Sequence, residues 1–301
     1  MNDTDLVLVT GASGHVGAEL VDRLAATGSR VRAMSRKPQD VAVPVGAAVV
    51  RGDADEPASL DAAFAGVDRA FLMSAETIDP DTGPTHVPAL VDAAVRAGVS
   101  HLVLLSVYSG GEGGDVLAAW WAQIERSVVG SGLRWTLLRP GRFMSNALAW
   151  ASRLDGSDEV AVPFAHRPAA SIDPADIAAV AAAALTDTDG RHDGATHQLS
   201  GPAAMTPSDE LAAIGALLGR PLRAVEPPLD QVRAGMIRSG MREAVVDAAL
   251  ARTLESSDGA EVLPTVERVL GRPARSFGDW LDAHRDAFTA GRSPASPSSA
   301  V

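Results

Sequence analysis

The sequence predicts a doubly wound parallel Rossmann sheet, an α/β fold, with a smaller and mostly helical C-terminal region. Two observations carry that prediction. Through the first half of the chain, apolar strand-like runs alternate with amphipathic helical runs, the order that a parallel sheet with helical crossovers requires. Between the first such run and the first helix stand Gly11, Gly14 and Gly17, where a phosphate-binding turn of this fold belongs.

Strands are expected at 6–10 (LVLVT), 30–35 (RVRAMS), 47–52 (AAVVRG), 70–74 (AFLMS), 101–106 (HLVLLS) and 134–140 (RWTLLRP). Helices are expected between them near 14–27, 57–65, 84–97 and 115–130. In the last, Val116, Leu117, Trp120, Trp121, Ile124 and Val128 recur at helical spacing; Trp120 and Trp121 suit core and pocket wall. Beyond Pro140 the pattern loosens. Asp173 or Asp176 caps an alanine-rich helix, and 196–201 (THQLSG) forms a late strand. From Met205 onward the chain reads as helical, with Thr206 as N-cap, Pro207 at the first helical position and Gly219 as a stop. This divides the chain into a nucleotide-binding core at 1–140, a region at 141–291 that completes the sheet and forms a helical substrate lobe, and a tail at 292–301. The tail lacks apolar residues to pack and is expected to be disordered.

Composition excludes several functions. The absence of cysteine removes disulfides, thiolate catalysis and cysteine-held metal clusters. A formal charge of −12 argues against general polyanion binding, which needs clustered cations. No uncharged apolar run reaches the roughly 18 residues of a membrane span, and the N-terminus lacks the pattern of a secretory signal. The expectation is a cytoplasmic monomer or homodimer that binds a small molecule, with no nucleic acid and no membrane.

The glycine turn has a physical reading. Glycines permit the tight turn, the approach of a pyrophosphate and close helix packing, while the helix N-terminus supplies N–H donors. The expected contacts are Gly11, Ala12, Ser13, Gly14, His15, Val16 and Gly17, with His15 either at phosphate or facing solvent. About 20 residues beyond such glycines a carboxylate would select NAD. Here stand Ser35, Arg36 and Lys37, a hydroxyl and two cations that favour a 2′-phosphate, so the cofactor is expected to be NADP (NADPH). Asp53 either accepts from the adenine amino group or begins a helix.

With these motifs in order, and with "RGDADEPASL", "HLVLLS" and the Arg-Pro-Gly-x-Phe-Met-x-Asn stretch at 139–146 behind them, the chain resembles the NmrA-like group of atypical short-chain dehydrogenases/reductases over about residues 5–290. The resemblance implies cofactor contacts at Met73, Ser74 and Ala75 after the fourth strand and at Ser106 and Val107 after the fifth. It also implies contacts at Pro140, Gly141, Arg142 and Phe143, with Met144 and Asn146 facing substrate. Without the resemblance, 139–146 reads as a Pro-Gly turn with Phe143 in the core.

Ordinary members of the wider family use a Tyr-x-x-x-Lys dyad, in which the lysine lowers the tyrosine's pKa. The sole tyrosine, Tyr108, has Glu112 four residues on, and the sole lysine is Lys37. A Lys or His four residues before Glu125 is also missing, because Trp121 stands there. Tyr108 is therefore either a substrate-site donor or a packing residue, and Ser106 or Asn146 orients a carbonyl. His192 and His197 do not share a helical face, and no metal site is expected. The function expected is NADPH-dependent hydride transfer to a small apolar quinone, enone or ketone without the dyad. The alternative is a non-catalytic NADP-binding regulator of the NmrA type.

Overall fold

A computed structural model describes residues 5–74, 76–151, 153–154, 157–255 and 259–289. Nine strands are found among them: β1 (Leu6–Val9), β2 (Arg30–Ser35), β3 (Ala47–Arg51), β4 (Arg69–Met73), β5 (His101–Leu105), β6 (Arg134–Pro140), β7 (Glu159–Ala161), β8 (Ala195–Leu199) and β9 (Arg223–Val225). Seven form one sheet in the order β3-β2-β1-β4-β5-β6-β8, and every pairing is parallel. The chain leaves β1 for β2 on one side and later returns to β4 on the other. That reversal opens a crevice beyond the C-terminal end of β1, where doubly wound sheets bind their ligands.

The helices are α1 (His15–Ala26), α2 (Pro57–Phe64), α3 (His86–Ala97), α4 (Val116–Val129), α5 (Leu148–Ala151), α6 (Pro174–Thr186), α7 (Pro207–Leu218), α8 (Leu229–Arg238), α9 (Glu243–Glu255), α10 (Thr265–Leu270), α11 (Phe277–Ala283) and α12 (Arg285–Thr289). β1 is apolar at every position, and β4 and β5 at every position after their first residues, Arg69 and His101, because both faces are covered. Val7, Val9, Phe71 and Val103 pack against α1 and α6, while Leu8, Leu72, Leu102 and Leu104 pack against α2, α3 and α4. This is the two-residue period of a strand read through two different cores. The alanines of α6 let it bury almost its whole circumference. A third core, centred on Leu211, Ile214, Phe277 and Trp280 with Met144 and Trp150, supports the C-terminal lobe.

Asp173 is the cap of α6 and accepts from Ala175 N at 2.8 Å. Asp176, the other expected cap, is buried in the first turn of α6, where it accepts from Arg272 and from Arg275 N. Thr206 caps α7 in a reciprocal box with Asp209, and Gly219 ends it in the left-handed region at φ 64°. The parallel pair β7–β9, three residues a strand, was not legible, since three residues are too few to display a period. Met144, expected to face substrate, is instead 2 % exposed in the third core. The tail at 292–301 and Ala75 lie outside the described residues.

Candidate active site

The glycine turn joins β1 to α1. Gly11 has φ +62°, a left-handed conformation that glycine adopts without strain, and a Cβ there would overlap the Met73 thioether. A Cβ on Gly17 would overlap the Gly11 carbonyl. Thr10 Oγ1 accepts from Met73 N at 3.0 Å, so the ends of β1 and β4 are tied beneath the turn. Gly14 caps α1 without any side-chain hydrogen bond to the first turn. Among the described residues, no side chain accepts from the first N–H groups of α1, a donor set suited to pyrophosphate oxygens. Ala12, Val16 and Gly17 are buried behind the turn, whereas Ser13, Gly14 and His15 are exposed.

Beside the turn lies a cavity of about 670 Å³, lined among others by Ser13, Ser35, Arg36, Lys37, Asp53 and Met73. Ser35 Oγ accepts from Lys37 N at 3.1 Å, which folds the two cations across the end of β2. Arg36 and Lys37 are exposed. Asp53 lines the cavity and also accepts from Asp55 N at 3.2 Å through Oδ1, so it organises the entry to α2 as well. His86, which the sequence did not single out, closes the wall with Nε2 2.9 Å from Asp55 Oδ1. Uncapped N–H groups on one side and two cations on the other fit a nicotinamide dinucleotide.

A second cavity, of about 990 Å³, opens past the ends of β5 and β6. Tyr108, Trp121 and Phe164 give it aromatic walls, with Arg142 and Arg252 among its polar residues. Tyr108 sits against the turn after β6: its carbonyl accepts from Gln198 Nε2 at 3.3 Å, and a Cβ on Gly141 would lie 3.8 Å from its ring. Gly141 N in turn donates to Leu199 O at 2.9 Å, anchoring that turn to β8 beside the buried Pro140. Trp121 occupies the wall at the position where a helix-borne Lys or His would stand.

The remaining expected residues are placed elsewhere. Ser106 is 4 % exposed and donates to Glu125 Oε1 at 2.6 Å, and that carboxylate also holds Arg139. Its hydroxyl is thus committed beneath the site. Glu112 pairs with Arg139 at 2.8 Å. Asn146 is exposed and does not line the cavity. Phe143 is half-buried, bridges to Ile172 and packs against the sheet core. Ser74 Oγ donates to Glu76 at 3.4 Å.

Arg142 is set by two buried groups. Its Nε donates to Ser171 Oγ at 2.9 Å, one terminal nitrogen pairs with Glu210, and Ser171 Oγ donates to the same Glu210 oxygen at 2.9 Å. Burial pushes the Glu210 carboxyl above its ordinary range against the opposing pull of Arg142 and Ser171. Arg252, on α9, donates to Asp115 Oδ2 at 2.6 Å and to Ser109 Oγ at 2.6 Å, fastening α9 to the loop that carries Tyr108.

Outside the lining of both cavities, His192 Nδ1 and His197 Nε2 meet at 2.9 Å. The turn before β8, rather than a helical face, brings them together, as one hydrogen-bonded pair. Among the described residues no group of three or more His, Asp or Glu is placed to hold a metal ion, and no helix is long and apolar enough to cross a membrane.

A model of NAD(P)H-binding proteins matches residues 11–188. A (4-alkanoyl-5-oxo-2,5-dihydrofuran-3-yl)methyl phosphate reductase of Streptomyces griseus is 39% identical over 94% of this chain and 99% of its own. An NAD(P)H azoreductase of Xenophilus azovorans is 34% identical over 95% of this chain and 100% of its own. In fold, the chain is similar to the NADPH-dependent quinone oxidoreductase of Escherichia coli solved with NADPH, with a TM-score of 0.75 and 24% identity over 92% of this chain and 99% of that one.

Proposed function

The chain belongs to the NAD(P)H-binding family and is an NAD(P)H-dependent oxidoreductase; on that premise we propose that it is an NmrA-like atypical short-chain dehydrogenase/reductase that uses NADPH to reduce a small, flat, conjugated acceptor of the quinone or enone class. The observation that carries this reading is the aromatic-walled cavity after β5 and β6, which offers Tyr108 but no lysine to activate it. NADPH, when bound, supplies the hydride. Gly11, Gly14, Gly17 and the first turn of α1 would hold its pyrophosphate, and Arg36 with Lys37 its 2′-phosphate.

Reduction of a simple ketone builds charge on one oxygen and gains about 10²–10⁴-fold from a matched acid. An unassisted phenol, with a pKa of about 10, is a poor match. In a quinone or enone the charge spreads over the conjugated carbonyl, and a proton from solvent completes the reduction. The chain's part is orientation: Trp121 and Phe164 hold the acceptor flat, and the Tyr108 hydroxyl donates a hydrogen bond to its carbonyl. The relatives' names support this choice, since a furanone, an azo compound and a quinone each present an electron-poor π bond. On this reading Tyr108→Phe lowers kcat by less than about tenfold.

The test is to saturate the purified protein with NADPH and follow the loss of nicotinamide absorbance with quinones, enones and simple ketones. Turnover is expected with the first two classes. Tight NADPH binding with no turnover on any acceptor overturns the reading in favour of a non-catalytic, NADP-binding regulator, whose motivation is the missing dyad. Cofactor choice has its own check. Removing one charge-assisted contact in Arg36→Ala is expected to weaken NADPH about tenfold or more while leaving NADH within about twofold. Equal weakening of both would remove Arg36 from the 2′-phosphate.

A further inference from the structure

We infer that the acceptor carries an oxyanion, a phosphate or carboxylate group, and that Arg142 receives it. This rests on the reading of the aromatic-walled cavity as the acceptor site. Arg142 lines that cavity with a quarter of its side chain exposed. Its orientation is fixed from behind: Ser171 and Glu210, both under 5 % exposed, take Nε and one terminal nitrogen. Among the described residues, the other terminal nitrogen has no protein partner. A guanidinium carries five N–H donors in a rigid fork, and this one spends two on its support. The fork is held as a bidentate oxyanion receiver is held, with its unused edge at the cavity.

The surroundings favour an anion there. Of the three acids lining the cavity, Asp115 is taken by Arg252 and Glu112 by Arg139, and the third, Glu261, is exposed to solvent. Arg167 lines the same cavity. On the wall with it, Phe164 has φ 55°, the one non-glycine residue with positive φ among those described. Non-glycine residues in that region are strained and cluster at functional sites. Its neighbour Ala165 is pinned by Ser208 N of α7, the helix that carries Glu210. A single support therefore sets both the aromatic wall and the guanidinium, which suits a ligand with a flat ring at one end and a charged oxygen group at the other.

The test separates this inference from the reductase reading by using ligands that cannot be reduced. Naphthyl phosphate, naphthoate and naphthol are titrated calorimetrically into the NADPH-saturated protein. Either anion is expected to bind at least about tenfold tighter than naphthol, and raising the salt concentration should shrink that advantage. In Arg142→Gln the advantage is expected to vanish; in Arg142→Lys, which keeps the charge but not the fork, it falls part way. If Arg142→Gln proves unstable, the Lys variant and the salt dependence carry the decision. Anions binding no tighter than naphthol in the parent protein, or an advantage that survives both substitutions, overturns the inference even where quinones are turned over. An Arg142-dependent advantage without turnover of any acceptor upholds it and counts against the reductase.

Discussion

Glu125→Ala is expected to destabilise the protein by about 3–5 kcal/mol, the usual penalty for stripping one partner from a buried ion pair. Glu125 and Arg139 have side chains only 10% and 15% exposed, and their contact is bidentate, at 2.9 and 2.7 Å. The same carboxylate accepts from Ser106, so α4, the end of β5 and the end of β6 converge on it. Its hydrogen bonds, and then its charge, hold the Arg139 guanidinium above its already high ordinary pKa against the opposing effect of burial. The loop after β5 rests on this guanidinium: Gly110 has φ +52°, and a Cβ there would overlap it. Losing Glu125 leaves a buried cation whose remaining acid, Glu112, is 72% exposed. Both walls of the aromatic-lined cavity, at Tyr108 and at Arg142, follow the strand ends that the pair joins. Urea denaturation checks this. Glu112→Ala should shift stability by less than about 1 kcal/mol, as exposed pairs do, and Glu125→Gln should fall between. Equal small losses for Glu112→Ala and Glu125→Ala would show that the pair does not secure these strand ends.

Which features were legible from sequence follows from their range. The six early strands and the glycine turn reveal themselves within a few residues, because strand alternation, helical spacing and cap chemistry are local. The cations at Arg36 and Lys37 were equally local, displaced from the glycines by one helix and one strand. The aromatic-walled cavity was not. Arg142 becomes a receiver only through Ser171 and Glu210, 29 and 68 positions away, and Arg252 reaches Ser109 across 143 positions. Ser106 illustrates the opposite error. A hydroxyl at the end of a central strand fits a site residue equally well, and only the approach of Glu125, 19 positions on, shows where its proton goes. Phe164 gave no signal, since its positive φ is imposed by the lobe that α7 supports.

Acidification below about pH 6.5 is expected to remove about 3 kcal/mol of stability through His101 alone. This residue starts β5, is 1% exposed, and has its Nε2 3.0 Å from Thr136 Oγ1. The Thr136 hydroxyl spends its one proton on His192 O at 2.8 Å, so it must accept from His101, and Nε2 carries the hydrogen of the neutral ring. The second proton would go to Nδ1, which is buried and has no partner. Burial accordingly drives the His101 pKa down to about 4; Arg134 and Arg69 push in the same direction, and Asp193 and Asp187 oppose them. Above the unfolded value of about 6.5 both states are neutral and nothing is lost. As pH falls towards 4 the unfolded chain takes up a proton that the folded chain refuses, so stability declines at up to about 1.4 kcal/mol per pH unit and levels off below. His197, also lowered to about 4 by burial, His192 and Arg268, adds to the same window. Carboxylates titrate there too, so the measurement is a difference: His101→Gln, which keeps a donor for Thr136, should show a slope of stability against pH shallower by up to one proton between about pH 6.5 and 4.5. An unchanged slope would mean that His101 is protonated in the folded protein and that Nδ1 has found an acceptor.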